Sequence, residues 1–512
     1  MNATGTAEQL PATEETRAAC EPELSALAED RAEAWEAIEI SAQSNPAMMA
    51  AHRNRQANLL LERGRGGEAR RQYRQALALY REQGSWSGVF DVSNNLALIE
   101  ADRGDGDDAI ATFEELCHSA RRDGDRERLA CALHNLAWIY KRRGDYERSE
   151  ALYRDALLCL DALELPAFES NVRNNLGSLA RLRGQLETAE HLIQEALEIA
   201  RHLDDKEAIA SRLNNLALVY RDRGQFDEAL ELLRESLALA EVLCNRRLQA
   251  QRLVNIASIV RMRGDLTAAR SYLDRAAELH GMIDDPSGRS FVLLRRGSLR
   301  LAQGEIELAS EDLTQALELL EKRHQTGEVP LARTLLARVF LAQGKVAVAE
   351  HVVRHALADL AVLDRPDDEL GAWLTLVEIE LAQPSATAPR GAAVASAPSS
   401  IGVALDRARA LAAVYPGTVR RAQVELMAAR YFYVRGRSSA AATLADAIRA
   451  EAEAADLNEV AMEARLLIST IRRYALRRSE RQAGRHELAE LVQDARAAGY
   501  LRLADEAERG AR

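Results

Sequence analysis

Eight glycines fall at one fixed interval: Gly64, Gly104, Gly144, Gly184, Gly224, Gly264, Gly304 and Gly344 are each 40 residues apart. No insertion or deletion breaks the series. Around each glycine the local text returns, as in NNLALIEADRGDGDDA, HNLAWIYKRRGDYERS, NNLGSLARLRGQLETA and NNLALVYRDRGQFDEA. A period of that length means one supersecondary unit per copy, each burying its apolar face against the next. It also accommodates 512 residues, which is too long for one compact domain.

Each copy reads as two amphipathic helices joined by a tight turn. The first helix carries a small residue in a fixed column: Ala57, Ala97, Ala137, Gly177, Ala217, Ala257, Gly297 and Ala337. The second repeats a small residue at Ala69, Ala109, Ser149, Ala189, Ala229, Ala269, Ala309 and Ala349. Four residues on comes a large one, from Tyr73 and Phe113 to Leu313 and Val353. Such spacings share one helical face, so small columns let backbones approach and large ones fill the space between. The glycine ends the first helix in a left-handed turn. With 4% aromatics and 11 prolines among many helix formers, an all-β fold is excluded.

The pattern resembles the tetratricopeptide repeat, with its small residue before the turn, turn glycine and small–bulky–small second helix. The 40-residue unit is more similar to the kinesin-light-chain-like subgroup, and the resemblance spans residues 47–383. It departs from the family in lacking the closing proline in all eight copies. The resemblance implies an all-α, right-handed superhelical solenoid of antiparallel helix pairs (a TPR array).

Around this array the expected organisation is a disordered tail at 1–20 and an N-terminal capping helix at 21–46. The array at 47–383 holds eight regular repeats and the start of a ninth at Asp367. A Pro/Ala/Ser-rich insertion follows at 384–400, degenerate TPR-like helices at 401–476, and C-terminal capping helices at 477–512.

A net charge of −12 argues against non-specific nucleic-acid binding. No stretch of 18 apolar residues or secretory signal is found, so a cytoplasmic protein with no membrane partner is expected. Five scattered cysteines, Cys20, Cys117, Cys131, Cys159 and Cys244, read as reduced thiols. Phosphate loops, HExxH and GxSxG are lacking, and the carboxylates read as solvated. No enzyme activity and no cofactor are expected. Cys117, His118, Cys131 and His134 have spacing compatible with zinc, but no other copy repeats them, and no metal site is assigned.

The columns that do not pack are the informative ones. Asn95, Asn135, Asn175, Asn215 and Asn255 occupy one column in five successive repeats, preceded by Asn94, His134, Asn174 and Asn214. Asparagine is a poor interior helix residue, so its recurrence needs a reason. One reading is a ladder of amides between neighbouring repeats. The other is a row of donor–acceptor groups holding the main chain of an extended peptide, a role the resemblance also implies. Seven residues beyond the first member of each pair stand Lys141, Arg181, Arg221 and Arg261, a basic row suited to acidic side chains or a terminal carboxylate. The same residues could pair with carboxylates on adjacent repeats. The arginines from Arg63 to Arg263 just before the glycines offset helix dipoles and receive no binding role.

Two functions follow as expectations. The first is a non-enzymatic scaffold or adaptor that holds an extended, acidic peptide segment of a partner protein in a concave groove. The second is a peptide-sensing regulator whose superhelix changes pitch on binding. A homo-oligomer through the terminal helices is compatible with either.

Overall fold

The computed structural model describes residues 46–62, 66–102, 106–143, 145–283, 285–322, 326–363, 365–383, 399–414 and 418–511. The expected tail at 1–20, all but the last residue of the capping helix at 21–46, and 384–398 of the insertion lie outside them. The described residues form 23 α-helices and no strand. They divide into two units, one running to Asn175 together with Glu241–Asn245, the other Leu176–Ala240 together with Arg246 onward.

The first unit contains α1 (Pro46–Glu62), α2 (Gly66–Glu82), α3 (Trp86–Asp102), α4 (Gly106–Asp123), α5 (Arg126–Arg143), α6 (Tyr146–Leu160) and the start of α7 (Pro166–Leu182). The second begins within α7 and continues through α8 (Leu186–His202), α9 (Lys206–Arg223), most of α10 (Phe226–Val242), α11 (Arg246–Met262) and α12 (Leu266–Met282). Then come α13 (Pro286–Gln303), α14 (Ile306–Lys322), α15 (Val329–Ala342), α16 (Val346–Leu363) and α17 (Pro366–Ala382). The chain ends with α18 (Ser399–Val414), α19 (Thr418–Val434), α20 (Ser438–Ala454), α21 (Asn458–Arg473), α22 (Arg478–Ala497) and α23 (Leu501–Ala511). Each unit is an all-α array in which consecutive helices pack as pairs.

The packing columns explain why. Ala69, Ala109, Ser149, Ala189, Ala229, Ala269, Ala309 and Ala349 are all fully buried. The large residues four positions on, Tyr73, Phe113, Tyr153, Ile193, Leu233, Leu313 and Val353, are fully buried too, and Leu273 is 3% exposed. At Gly177 the approach is so close that a Cβ would stand 2.6 Å from Ile193 Cγ1. The pairs end as the repeat glycines require: Gly224 closes α9 at φ 83°, its N–H bonded to Tyr220 and Arg221 carbonyls. Helix starts are capped by aspartates, with Asp205 accepting from Ala208 N at 2.9 Å and Asp265 from Ala268 N at 2.8 Å.

The expectation that each repeat meets only its neighbours fails in the second unit. The hydrogen bond from Tyr500 Oη to the Arg261 carbonyl spans 239 residues at 3.3 Å. Asn458 Nδ2 donates to the Arg263 carbonyl, and Arg263 pairs with Asp456 at 2.7 Å. One apolar core joins Leu253 and Leu266 to Leu491, Tyr500 and Leu503. The late helices therefore return to the turns of the repeats marked by Gly264 and Gly304. Helices α22 and α23 lie within the 477–512 segment expected to hold C-terminal capping helices.

One further expectation holds for three of the cysteines, and another changes. Cys117, Cys131 and Cys159 are free thiols. Not every carboxylate is solvated. Asp312 is buried between Arg296 and Arg300, at 2.8 and 2.6 Å. The His280 ring holds Asp285 down to about 2, against the effect of burial.

Candidate functional site

The asparagines lie on the first helix of each pair, and in the first unit they form one directed chain of hydrogen bonds. Asn175 Nδ2 meets His134 Nε2 at 2.7 Å, and His134 Nδ1 meets Asn135 Oδ1 at 3.2 Å. Asn135 Nδ2 donates to Asn94 Oδ1 at 2.7 Å, and Asn94 Nδ2 to Asn95 Oδ1 at 3.2 Å. Asn95 Nδ2 reaches Asn58 Oδ1 at 3.4 Å, and the Tyr73 hydroxyl donates to the same oxygen. The second unit repeats the motif: Asn255 Nδ2 donates to Asn214 Oδ1 at 2.7 Å, and Asn214 Nδ2 to Asn215 Oδ1 at 3.2 Å. Asn174 and Asn215 make further contacts and neither stands free.

The two columns differ in exposure. Asn94, Asn174 and Asn214 are buried, whereas Asn95, Asn135, Asn175, Asn215 and Asn255 are half-buried. An amide offers two N–H donors and two acceptor positions. Asn95 and Asn135 each spend one donor and one acceptor in the ladder, while Asn175 and Asn255 each spend one donor. Asn135 spends its second donor on Cys131 Sγ at 3.8 Å. Each of these four therefore keeps some hydrogen-bonding capacity unspent, at Asn135 on its oxygen alone.

His134 replaces asparagine without breaking the pattern, because a neutral imidazole also accepts at one nitrogen and donates at the other. Its ring lies 5.5 Å from Tyr153 and 5.6 Å from Phe168. Burial pushes its pKa down to about 4, outweighing the hydrogen bond to Asn135.

The three arginines of the basic row are engaged by carboxylates. Arg181 and Arg221 both hold Asp222, each at 2.6 Å. Burial alone would raise the Asp222 pKa, but the two guanidiniums keep it below the usual carboxylate range. Arg261 pairs with Glu459 of α21 at 3.0 Å. Lys141 is half-buried and has partners of its own. The arginines before the glycines also do more than offset dipoles. Arg143 reaches Asp107 and Arg263 reaches Asp227, both at 2.6 Å and both 36 residues back. Arg223 likewise reaches Glu190 at 2.5 Å. These are ties between successive repeats, legible in the sequence as acidic residues opening the second helices.

Sequence reasoning missed Asn58, which stands outside both columns, and stopped the half-buried column at Asn255. Forty residues on, Arg295 takes that place. Among the described residues no cluster of His, Cys, Asp or Glu could hold a metal ion. No described helix is long and apolar enough to cross a membrane.

Family models described as tetratricopeptide repeat match residues 88–157 and 168–242, and again 214–281 and 294–361. No curated protein matches. Among solved structures the chain is similar to BtubC (BKLC) from P. vanneervenii, at 23% identity and TM-score 0.36, covering 42% of this chain and 90% of that one. It is similar to the Rap conjugation gene regulator of plasmid pLS20 in complex with the Phr* peptide, at 13% identity and TM-score 0.48, over 58% of this chain and 78% of that one. Kinesin-light-chain TPR-like repeats from Podosopora anserina match at 21% identity and TM-score 0.31, over 40% of this chain and all of theirs. With the repeat columns buried as their periodicity requires and the family models matching along the array, this chain is a tetratricopeptide-repeat protein.

Proposed function

We propose that this protein is a non-enzymatic interaction scaffold that holds an extended, acidic peptide segment of a partner along the asparagine-bearing helices. The observation that supports this most is the division of labour within the amide pairs. The buried members Asn94 and Asn214 tie repeat to repeat, and the half-buried Asn95, Asn135, Asn175 and Asn255 keep hydrogen-bonding capacity that the ladder does not use. Edges repeated at the period of the array suit peptide main chain, whose N–H and C=O groups also recur. Asp222, shared by Arg181 and Arg221, leaves one positive charge uncancelled there, which favours acidic side chains.

The scaffold reading is preferred to a sensor that changes pitch. In the second unit the late helices pack on earlier repeats through a common core, and that contact resists the stretching a change of pitch demands.

The test is a selection of random peptides on the full chain. Enrichment of Asp and Glu, with affinity falling as salt rises and falling again in Arg181→Glu/Arg221→Glu, is expected. Enrichment of basic or purely apolar peptides, indifferent to salt, would discard the acidic segment.

A further inference from the structure

The segment from Arg472 to His486 departs from the rest of the chain in charge. It carries six arginines, Arg472, Arg473, Arg477, Arg478, Arg481 and Arg485, against one acidic residue, Glu480, in a protein of net charge −12. It spans the end of α21, the turn at Tyr474–Arg477 and the start of α22, all in the second unit. Carboxylates are short here. Arg472 pairs with Glu487, and Arg473 donates to the Gly510 carbonyl. Arg477, Arg478 and Arg485 are exposed and make no side-chain hydrogen bond or ion pair among the described residues.

The same turn shows two apolar side chains to water. Leu476 is 97% exposed and Tyr474 52%, whereas Leu467 of α21 and Leu491 of α22 are buried. This display is built into the backbone. At Gly484 a Cβ would run into Arg473 N and stand 2.7 Å from Ser469 O, so glycine is what lets α22 cross α21 this closely. Arg481 Nη1 then ties down the turn, donating to the Leu476 carbonyl at 2.7 Å and the Ala475 carbonyl at 3.2 Å. Leu476 is thus held in place without joining the core. Single exposed leucines are common on any surface, but this one is fixed between unpaired arginines.

We propose that the α21–α22 turn docks on an anionic lipid surface. Arg477, Arg478 and Arg485 meet the phosphates and carboxylates of the headgroups, while Leu476 and Tyr474 enter the boundary with the acyl chains. Charge complementarity selects an anionic partner. The apolar tip then selects among anionic partners. On a folded protein a protruding leucine needs a matching pocket, and the phosphate backbone of a nucleic acid offers it nothing. A bilayer yields to it at any point, and tyrosine favours that depth. The expectation of no membrane partner followed from the lack of a span, which has no bearing on attachment from outside. The docking point uses no residue of the asparagine column or the basic row, so it stands apart from the peptide reading.

The test sediments the full chain with vesicles of phosphatidylcholine alone, and with vesicles that also contain about 30 mol% phosphatidylserine. Binding to the anionic vesicles, falling as salt rises, with little to the neutral ones, is expected. Arg477→Gln/Arg478→Gln is expected to weaken it about tenfold or more, and Leu476→Ser about threefold. Thermal unfolding should stay unchanged in both variants, because all three side chains lie in solvent. No binding to the anionic vesicles, or binding undiminished in the arginine variant, would overturn the proposal. Loss with the arginines but none with Leu476→Ser would overturn the entry of the apolar tip. Capture of a short duplex DNA that depends on the arginines, without vesicle binding, would assign the patch to nucleic acid instead.

Discussion

The 2.7 Å contact between Asn175 Nδ2 and His134 Nε2 sets the direction of the whole amide chain in the first unit. An amide nitrogen can only donate, so the imidazole must accept at Nε2 and carry its proton on Nδ1, where it donates to Asn135. Every later link then runs the same way, from the later repeat toward the earlier one. Aligned donors polarise one another, so such a chain resists removal of any single member.

Removing a buried link should therefore cost stability. Asn94 accepts from Asn135 and donates to Asn95. Asn94→Ala is expected to lower the unfolding free energy by about 1–3 kcal/mol, because polar partners lose their bonds where water reaches them poorly. Urea denaturation of the variant measures this directly. An unchanged midpoint would mean that the ladder is ornamental.

The His134 position gives a pH signature. Its folded pKa of about 4 lies below the ordinary histidine value of 6.5, so the fold prefers the neutral ring. As pH falls from about 6.5 toward 4 the unfolded chain takes up the proton first, and stability is lost in that window, by roughly 3 kcal/mol in all. Above about 6.5 this group contributes no slope. His134→Asn restores the residue found in neighbouring repeats and should remove this component while preserving the ladder. Equal pH profiles for wild type and variant would refute the assignment.

The return of the late helices can be read at two glycines. Gly224, at φ 83°, has open space where a Cβ would go, so Gly224→Ala should cost only the left-handed backbone strain of about 1–2 kcal/mol. Gly264, at φ 91°, would place its Cβ 3.1 Å from Asn458 Cβ, so Gly264→Ala should cost more. Equal losses in thermal unfolding would indicate that α21 is not seated on that turn.

Charge release offers a test with the opposite sign. Asp222→Asn frees Arg181 and Arg221 from their shared carboxylate. Capture of a glutamate-rich peptide is expected to strengthen, and its salt dependence to steepen. Weaker capture would show that the pair is structural and that the row takes no ligand.

How much of this was legible follows from the chemistry. The columns of Ala69 and Tyr73, and their copies, announce themselves because every repeat must bury the same face against the next. Asn95 to Asn255 also stood out, since asparagine inside a helix is costly. Hydrogen-bond direction was hidden, because an amide looks the same whether it donates inward or outward, and only neighbouring coordinates decide it. The partners of Arg261 and Arg263 were equally hidden. Glu459 and Asp456 lie almost 200 residues away in sequence, beyond the reach of any periodic pattern.

The affinity of a selected peptide for Asn175→Ala/Asn215→Ala, set beside the unfolding free energy of the same variant, addresses the amide edges themselves. Binding weakened about tenfold or more, well below the temperature at which the variant unfolds, is the expected result, since each lost bond contributes on the order of 1 kcal/mol. Wild-type affinity in a variant that has lost stability would show that the asparagines hold the repeats together and nothing else.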